Sequence, residues 1–250
     1  DKKVLDFPLV WNNKKWPRLW QFNLHYFEWA KDLLNQLIFS QESEKEKILL
    51  GIIIDDWMKS NPLGKGDGWD SYTISLRCRN WIWIFRCFPE LATNNRIESL
   101  WHQLCWLYSN PELSNGGNHL LENLISLIIG SLQFEGYKSK IIYNWAFEKL
   151  KLELNEQILD DGGHFERTAV YHFLILDRLV ELGCVIENIK CERPKCLQDS
   201  ILKMVQFARK IYGEHKIIPP YNDSPVDICP NIDRVINFAE TYLFKTEYKY

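Results

Sequence analysis

The sequence predicts an all-helical protein assembled from antiparallel hairpins. Three observations predict it. Apolar residues recur at spacings of three and four along most of the chain, as one buried helix face requires. The breaks between these stretches are short and rich in turn residues: Asn61-Pro62-Leu63-Gly64, Asn110-Pro111, Asn115-Gly116-Gly117, Gly162-Gly163 and Pro219-Pro220. No segment shows the strict alternation of a half-buried strand.

Residues 1–22 are irregular and aromatic and are expected to wrap the outside of the helices. Helices then follow at roughly 25–39, 46–59, 72–88, 96–109, 119–134, 140–158, 168–183, 197–212 and 231–244. The second is stopped by Asn61-Pro62, the fourth by Asn110-Pro111, and the eighth is followed by Pro219-Pro220. The fifth and seventh each start just after a glycine pair. Short loops between helices of similar length imply antiparallel neighbours. Serial hairpins can close into a bundle, a solenoid or an α/α toroid, and the lack of a fixed-period repeat argues against a regular solenoid. With 250 residues and no low-complexity linker, residues 1–250 are expected to form one domain.

Composition narrows the function classes. The net charge is −3, with no basic stripe, which disfavours nucleic acid as a partner. A local cluster of Arg and His can still serve an anionic ligand within a near-neutral whole. No apolar run is long enough to span a membrane. Eleven Trp are an unusual load. Some must be core, yet Trp and Tyr also stack on sugar rings. Seven cysteines are an odd number; Cys78, Cys87, Cys105 and Cys184 fall in apolar helical stretches and read as small buried hydrophobes. Cys191 and Cys196 could form half a metal site, but no second pair accompanies them, and no metal or other cofactor is expected. This usage fits a reducing compartment better than a disulfide scaffold.

The strongest chemical signal is Asp160-Asp161-Gly162-Gly163-His164-Phe165-Glu166-Arg167-Thr168-Ala169-Val170-Tyr171-His172. If a helix begins near Phe165, Arg167 and Tyr171 share a face, with His164 above it. A guanidinium beside a phenol lowers its pKa from about 10, as a tyrosine base requires. The structural alternative is a helix start with a Glu–Arg pair and a core Tyr. A second glycine-led start, Asn115-Gly116-Gly117-Asn118-His119, precedes another apolar helix, with Glu122 one turn on from Asn118. Here the plain alternative is an N-cap Asn and a half-buried His. A third group, Gly68-Trp69-Asp70-Ser71-Tyr72 with Arg77, Asn80 and Trp81, mixes aromatic and cationic side chains suited to an anionic sugar; a Trp-rich core helix is the alternative. A fourth, Pro219-Pro220-Tyr221-Asn222-Asp223-Ser224, is a polar loop or simply a turn.

Together these segments resemble the α-helical domain of the heparinase II/III-like polysaccharide lyases. The resemblance rests on Trp20-Gln21-Phe22-Asn23-Leu24-His25-Tyr26-Phe27, Gly68-Trp69-Asp70-Ser71-Tyr72-Thr73-Ile74-Ser75-Leu76-Arg77, Asn118-His119-Leu120-Leu121-Glu122-Asn123 and Asp161-Gly162-Gly163-His164-Phe165-Glu166-Arg167. Tyr171-His172 and Asn222-Asp223-Ser224 add to it. It implies an incomplete (α/α) toroid followed by a β-sandwich domain that supplies a further active-site histidine and is absent from this sequence. It also implies periplasmic or secreted localisation. Family members cleave uronic-acid polysaccharides by β-elimination. By the family pattern Asn118 neutralises the uronate carboxylate and Tyr171 is the acid/base, with His119 and His164 as further catalytic candidates. Trp69, Tyr72, Arg77, Trp81, Glu122, Glu166, Arg167, Asn222 and Asp223 are the candidate substrate contacts.

Two other readings compete. One is a non-catalytic or truncated domain that holds acidic glycan through Trp69, Tyr72 and Arg77. The other is a glycoside hydrolase on a similar toroid, with Asp161 and Glu166 flanking the scissile bond. Ultraviolet absorbance discriminates them, because only elimination creates an unsaturated uronate.

Overall fold

The computed structural model describes residues 7–31, 33, 44–114, 116–213, 218, 222 and 229–244. Among them there are nine helices of nine residues or more and no strand, only one isolated bridge between Ile158 and His164. Packing divides the chain into two compact units, Asp1–Glu112 and Leu113–Tyr250.

The first unit holds α1 (Arg18–Tyr26), α2 (Glu44–Ser60), α3 (Ser71–Cys87) and α4 (Asn94–Ser109). α1 ends at Phe27, whose left-handed φ of 60° breaks the pattern expected to run over 25–39. Helical turns resume at 29–31, and 34–39 lie outside the described residues. The segment before α1 does not simply wrap the outside. Trp11 is 2% exposed, stacks on Phe27 and His25, and donates its indole N–H to Asp56 at 2.8 Å. α2 buries Leu50, Gly51, Ile54 and Trp57, a stripe at spacings of one, three and three. The Arg96 fork ties α4 to α2. Its Nε and Nη2 each reach Asp55 at 2.8 Å, and Nη2 also donates to the Gly51 carbonyl.

The second unit holds α5 (Gly117–Ser131), α6 (Tyr137–Gln157), α7 (Ala169–Lys190), α8 (Lys195–Tyr212) and α9 (Ile232–Phe244). α5 is buried on every face from Leu120 to Ser131, so it must be the central helix of its unit. α6 returns along it through a five-residue loop, α7 also packs on it, and α8 and α9 pack on α7. The outer helices are one-sided, as their positions demand: α8 buries Leu197, Ile201, Met204, Val205 and Ala208. Gly162 permits the close approach of the α6–α7 connection to α8. Its φ is +90°, and a Cβ there would sit 2.1 Å from the Lys203 carbonyl oxygen.

Of the cysteines read as buried, only Cys78 is so; Cys105 and Cys184 are half-buried and Cys87 is exposed. Their apolar neighbours in sequence do not share their helix face.

Candidate active site

The two glycine-led helix starts meet in the second unit. Gly116 occupies the N-cap position of α5, with no side-chain cap. The Asn118 backbone N–H, one of the donors a helix start leaves unpaired, goes instead to Glu166 Oε1 at 2.8 Å. Asn118 is therefore not the N-cap, and its side-chain amide is left out of the capping. A Cβ on Gly117 would lie 2.6 Å from the same Glu166 oxygen, and Gly117 itself sits at φ +58°. Glycine makes room for the carboxylate, and the carboxylate favours the positive end of α5.

Gln157, the last residue of α6, closes the arrangement. Its Nε2 donates to the Gly117 carbonyl at 3.1 Å and to Glu153 Oε2 at 2.7 Å, while its Oε1 lies 3.1 Å from His164 Nε2. Backbone bonds Phe165 N–H to Gln157 O and Leu159 N–H to Gly163 O fold the 157–165 segment into a tight reversal. His164 is 2% exposed, and burial pushes its pKa down to about 4, so the ring is neutral near pH 7.

The helix after this reversal starts later than the spacing implied. Thr168 is the N-cap of α7, and its side chain accepts from the Tyr171 backbone N–H at 3.1 Å. Arg167 lies outside the helix, exposed and left-handed at φ 55°. The argument that placed Arg167 and Tyr171 on one helix face thus fails, because Thr168 captures the helix start three residues past Phe165. Tyr171 stands in the first turn of α7, half-buried, as Asn118 and His119 stand in the first turn of α5. Asn222 reaches this corner by donating to the Arg167 carbonyl at 2.8 Å. Asp223 lies outside the described residues.

A cavity of about 360 Å³ opens beside it, lined by Asp161, His164, Arg167, Thr168, His172 and Phe207 among others. His172 is buried, with Nε2 donating to the Met204 carbonyl at 3.1 Å. Three carboxylates near the site have structural partners. Asp161 caps the Gly163 N–H, Glu166 takes Asn118 N–H, and Glu122 is 4% exposed and ion-paired with Arg178 at 2.9 Å. Of the two expected substrate contacts among them, Glu122 joins α5 to α7, and Glu166 joins the α6–α7 connection to the start of α5. Among the described residues no group of three or more His, Cys, Asp or Glu is placed to hold a metal.

Trp69, Tyr72, Arg77 and Trp81 belong to the first unit and form their own cluster. Arg77 and Trp81 have no exposed surface. The Arg77 guanidinium lies 3.8 Å over the Trp57 ring and donates to Gln103 at 2.7 Å, and burial lowers its pKa to about 9. Trp81 packs edge-on against Trp57 and Phe27. Neither presents a surface to a ligand, because both complete a core in which Trp57 also donates to His25 Nδ1. Trp69 is 8% exposed, with its indole on the Asn61 carbonyl; Tyr72 is half-buried, edge-on to Tyr26.

The family model described as Heparinase II/III N-terminus matches residues 8–250. The chain belongs to this family. It is 24% identical over 206 residues to heparin-sulfate lyase of Bacteroides stercoris, covering 68% of this chain and 30% of that protein. The crystal structure of heparinase III shares the fold with a TM-score of 0.77 at 19% identity, over 97% of this chain and 40% of that one. Heparan sulfate lyase HepC from Pedobacter heparinus gives 0.66 at 19% identity, over 86% of this chain and 36% of that one. The chain thus spans well under half the length of these relatives.

One site residue of this heparinase II/III N-terminal chain escaped the sequence reading. Gln157 carries no motif. Its signal is a lone amide continuing the buried stripe Leu150, Leu154, Gln157 of α6. A polar group at a core position needs partners, and these are Gly117 and His164.

Proposed function

We propose that this chain is the helical domain of a polysaccharide lyase, and that it cleaves uronate-containing polysaccharide by β-elimination as part of its protein. The observation that carries the reading is the Asn118 N–H to Glu166 bond, which joins the two polar helix starts into one site. Family membership and the lyase names of its relatives support the reaction class. The proton to be removed lies α to a carboxylate and is very weakly acidic. Asn118, with its amide not spent on capping, donates to the uronate carboxylate and stabilises the charge that develops on it. Tyr171 takes the proton and returns one to the leaving oxygen. Arg167, exposed at the mouth of the cavity, offers a cation to an anionic glycan. A partner β-sandwich domain, implied by resemblance, supplies a further wall and histidine.

The test is the ultraviolet appearance of unsaturated uronate from heparan-type polysaccharide, in the full protein carrying this chain and in its Tyr171→Phe variant. The variant keeps the ring and loses the hydroxyl. Its turnover is expected to fall by about a hundred- to ten-thousandfold with substrate binding nearly intact. Near-wild-type turnover would make Tyr171 a packing residue and remove the proposed mechanism.

A further inference from the structure

The bonds around Gln157 assign a chemical state to His164. A primary amide has two N–H donors and one carbonyl acceptor. Both nearby partners of the Gln157 nitrogen, the Gly117 carbonyl and the Glu153 carboxylate, are acceptors. The amide orientation is therefore fixed by its surroundings, and the oxygen must face His164 Nε2 at 3.1 Å. An amide oxygen can only accept, so His164 Nε2 carries the hydrogen. In a neutral ring, Nδ1 is then a lone pair. That Nδ1 is buried and has no hydrogen-bond partner among the described residues. Gln157 itself is 1% exposed and has no room to turn away.

We propose that Gln157 is a positioning residue for the site. It ties the first residue of α5, next to Asn118, to His164, and it holds His164 as the Nε2–H tautomer with Nδ1 unprotonated. His164 then cannot donate from Nδ1 to a uronate carboxylate, so that task falls to Asn118. With Nδ1 buried, the His164 ring shapes the wall of the cavity rather than touching substrate, and the effect on the site runs through Gly117 to Asn118. The positioning rests on hydrogen bonds alone, and its consequence for turnover rests on the lyase reading.

Two measurements on the full protein carrying this chain test it. The ¹⁵N-labelled imidazole signals of His164 are assigned by their loss in His164→Gln. The wild-type protein is expected to show a slowly exchanging His164 Nε2–H and an unprotonated Nδ1. A ring protonated on Nδ1, or an Nε2–H that exchanges as in free histidine, overturns the proposal whether or not the protein is a lyase. Gln157→Met keeps the side-chain length without donors or acceptor. It is expected to lose the protected Nε2–H and to lower kcat by about a hundredfold with KM little changed, the order of loss that a small misplacement of a reacting group produces. A folded Gln157→Met protein that keeps the protected proton, or that loses it at full kcat, also overturns the proposal. A wild-type protein that shows the predicted tautomer but releases no unsaturated uronate sinks the lyase reading and leaves the positioning standing.

Discussion

Glu166 shows how much of the site depends on single side chains whose role spacing does not reveal. In the sequence it stands between His164 and Arg167 and reads as half of a Glu–Arg pair or as a substrate contact. In the structure its carboxylate holds the first turn of α5 by the Asn118 N–H. The motif was legible because titratable residues crowd a glycine turn. The partnership was not, because it joins positions 48 residues apart. Arg167 was misread for a related reason: a helix-face argument presupposes the helix, and Thr168 sets its start. Glu166→Ala is expected to destabilise the fold by about 1–2 kcal/mol, the usual cost of losing an N-terminal acceptor, and to slow turnover by loosening Asn118. Glu166→Gln keeps an acceptor and is expected to lose less of both. Denaturant midpoints check the first effect and unsaturated-uronate release the second. Equal midpoints for all three proteins would show that the bond holds nothing in place.

Helix periodicity carried most of the fold. α2 to α6, α8 and α9 lie within a few residues of where apolar spacing puts them, since the outer ones bury a face at intervals of three and four and α3 and α5 are apolar enough to be buried nearly all round. The expected 25–39 helix is interrupted because an aromatic, Phe27, takes the left-handed conformation where no glycine announces a break, while 34–39 lie outside the described residues. α7 runs to Lys190, past its expected end at 183, since Gly183 inside it serves packing rather than termination. A Cβ there would meet the Tyr242 ring at 2.6 Å. Between elements, the least expected device is the Glu122–Arg178 pair, with Glu122 the single charged residue of α5 and Arg178 on α7 beside Asp177 and Glu181. The isolation of Glu122 in an apolar helix is the signal that it needs a buried cationic partner. Glu122→Ala strands Arg178 in a buried setting and is expected to cost about 3–5 kcal/mol, whereas Glu122→Leu with Arg178→Met is expected to recover most of it. Thermal unfolding of the single and double variants decides this. A single variant as stable as wild type would mean that Arg178 is satisfied by Asp177 and Glu181, which lie 3.5 and 3.9 Å away.

At the scale of the whole molecule, each unit is closed around buried neutral histidine, and this makes its stability depend on pH. The division at Glu112 follows a turn that the sequence marks no more strongly than the others, because turn chemistry does not encode which helices pack together. In the first unit, burial with help from Arg77 pushes His25 down to about 3. In the second, burial pushes His164 to about 4, and it pushes His172 to about 4 against the opposing bond to Met204. All three folded values lie below the unfolded value of about 6.5, so the unfolded chain binds more protons than the native one as pH falls. Their contribution is complete above about 6.5 and is lost as pH drops from there towards the folded values. The loss approaches about 1.4 kcal/mol per histidine per pH unit once the unfolded rings are fully charged. Between pH 6.5 and 5 most unpaired carboxylates remain ionised, so the histidines dominate the slope in that window. Denaturant midpoints followed by far-ultraviolet circular dichroism are expected to fall steadily across it. His172→Gln, which can keep a donor to the Met204 carbonyl, is expected to flatten the slope by one histidine's share. A wild-type midpoint that stays level from pH 6.5 to 5 would mean that these rings reach water in the folded protein, and that neither core is closed as described.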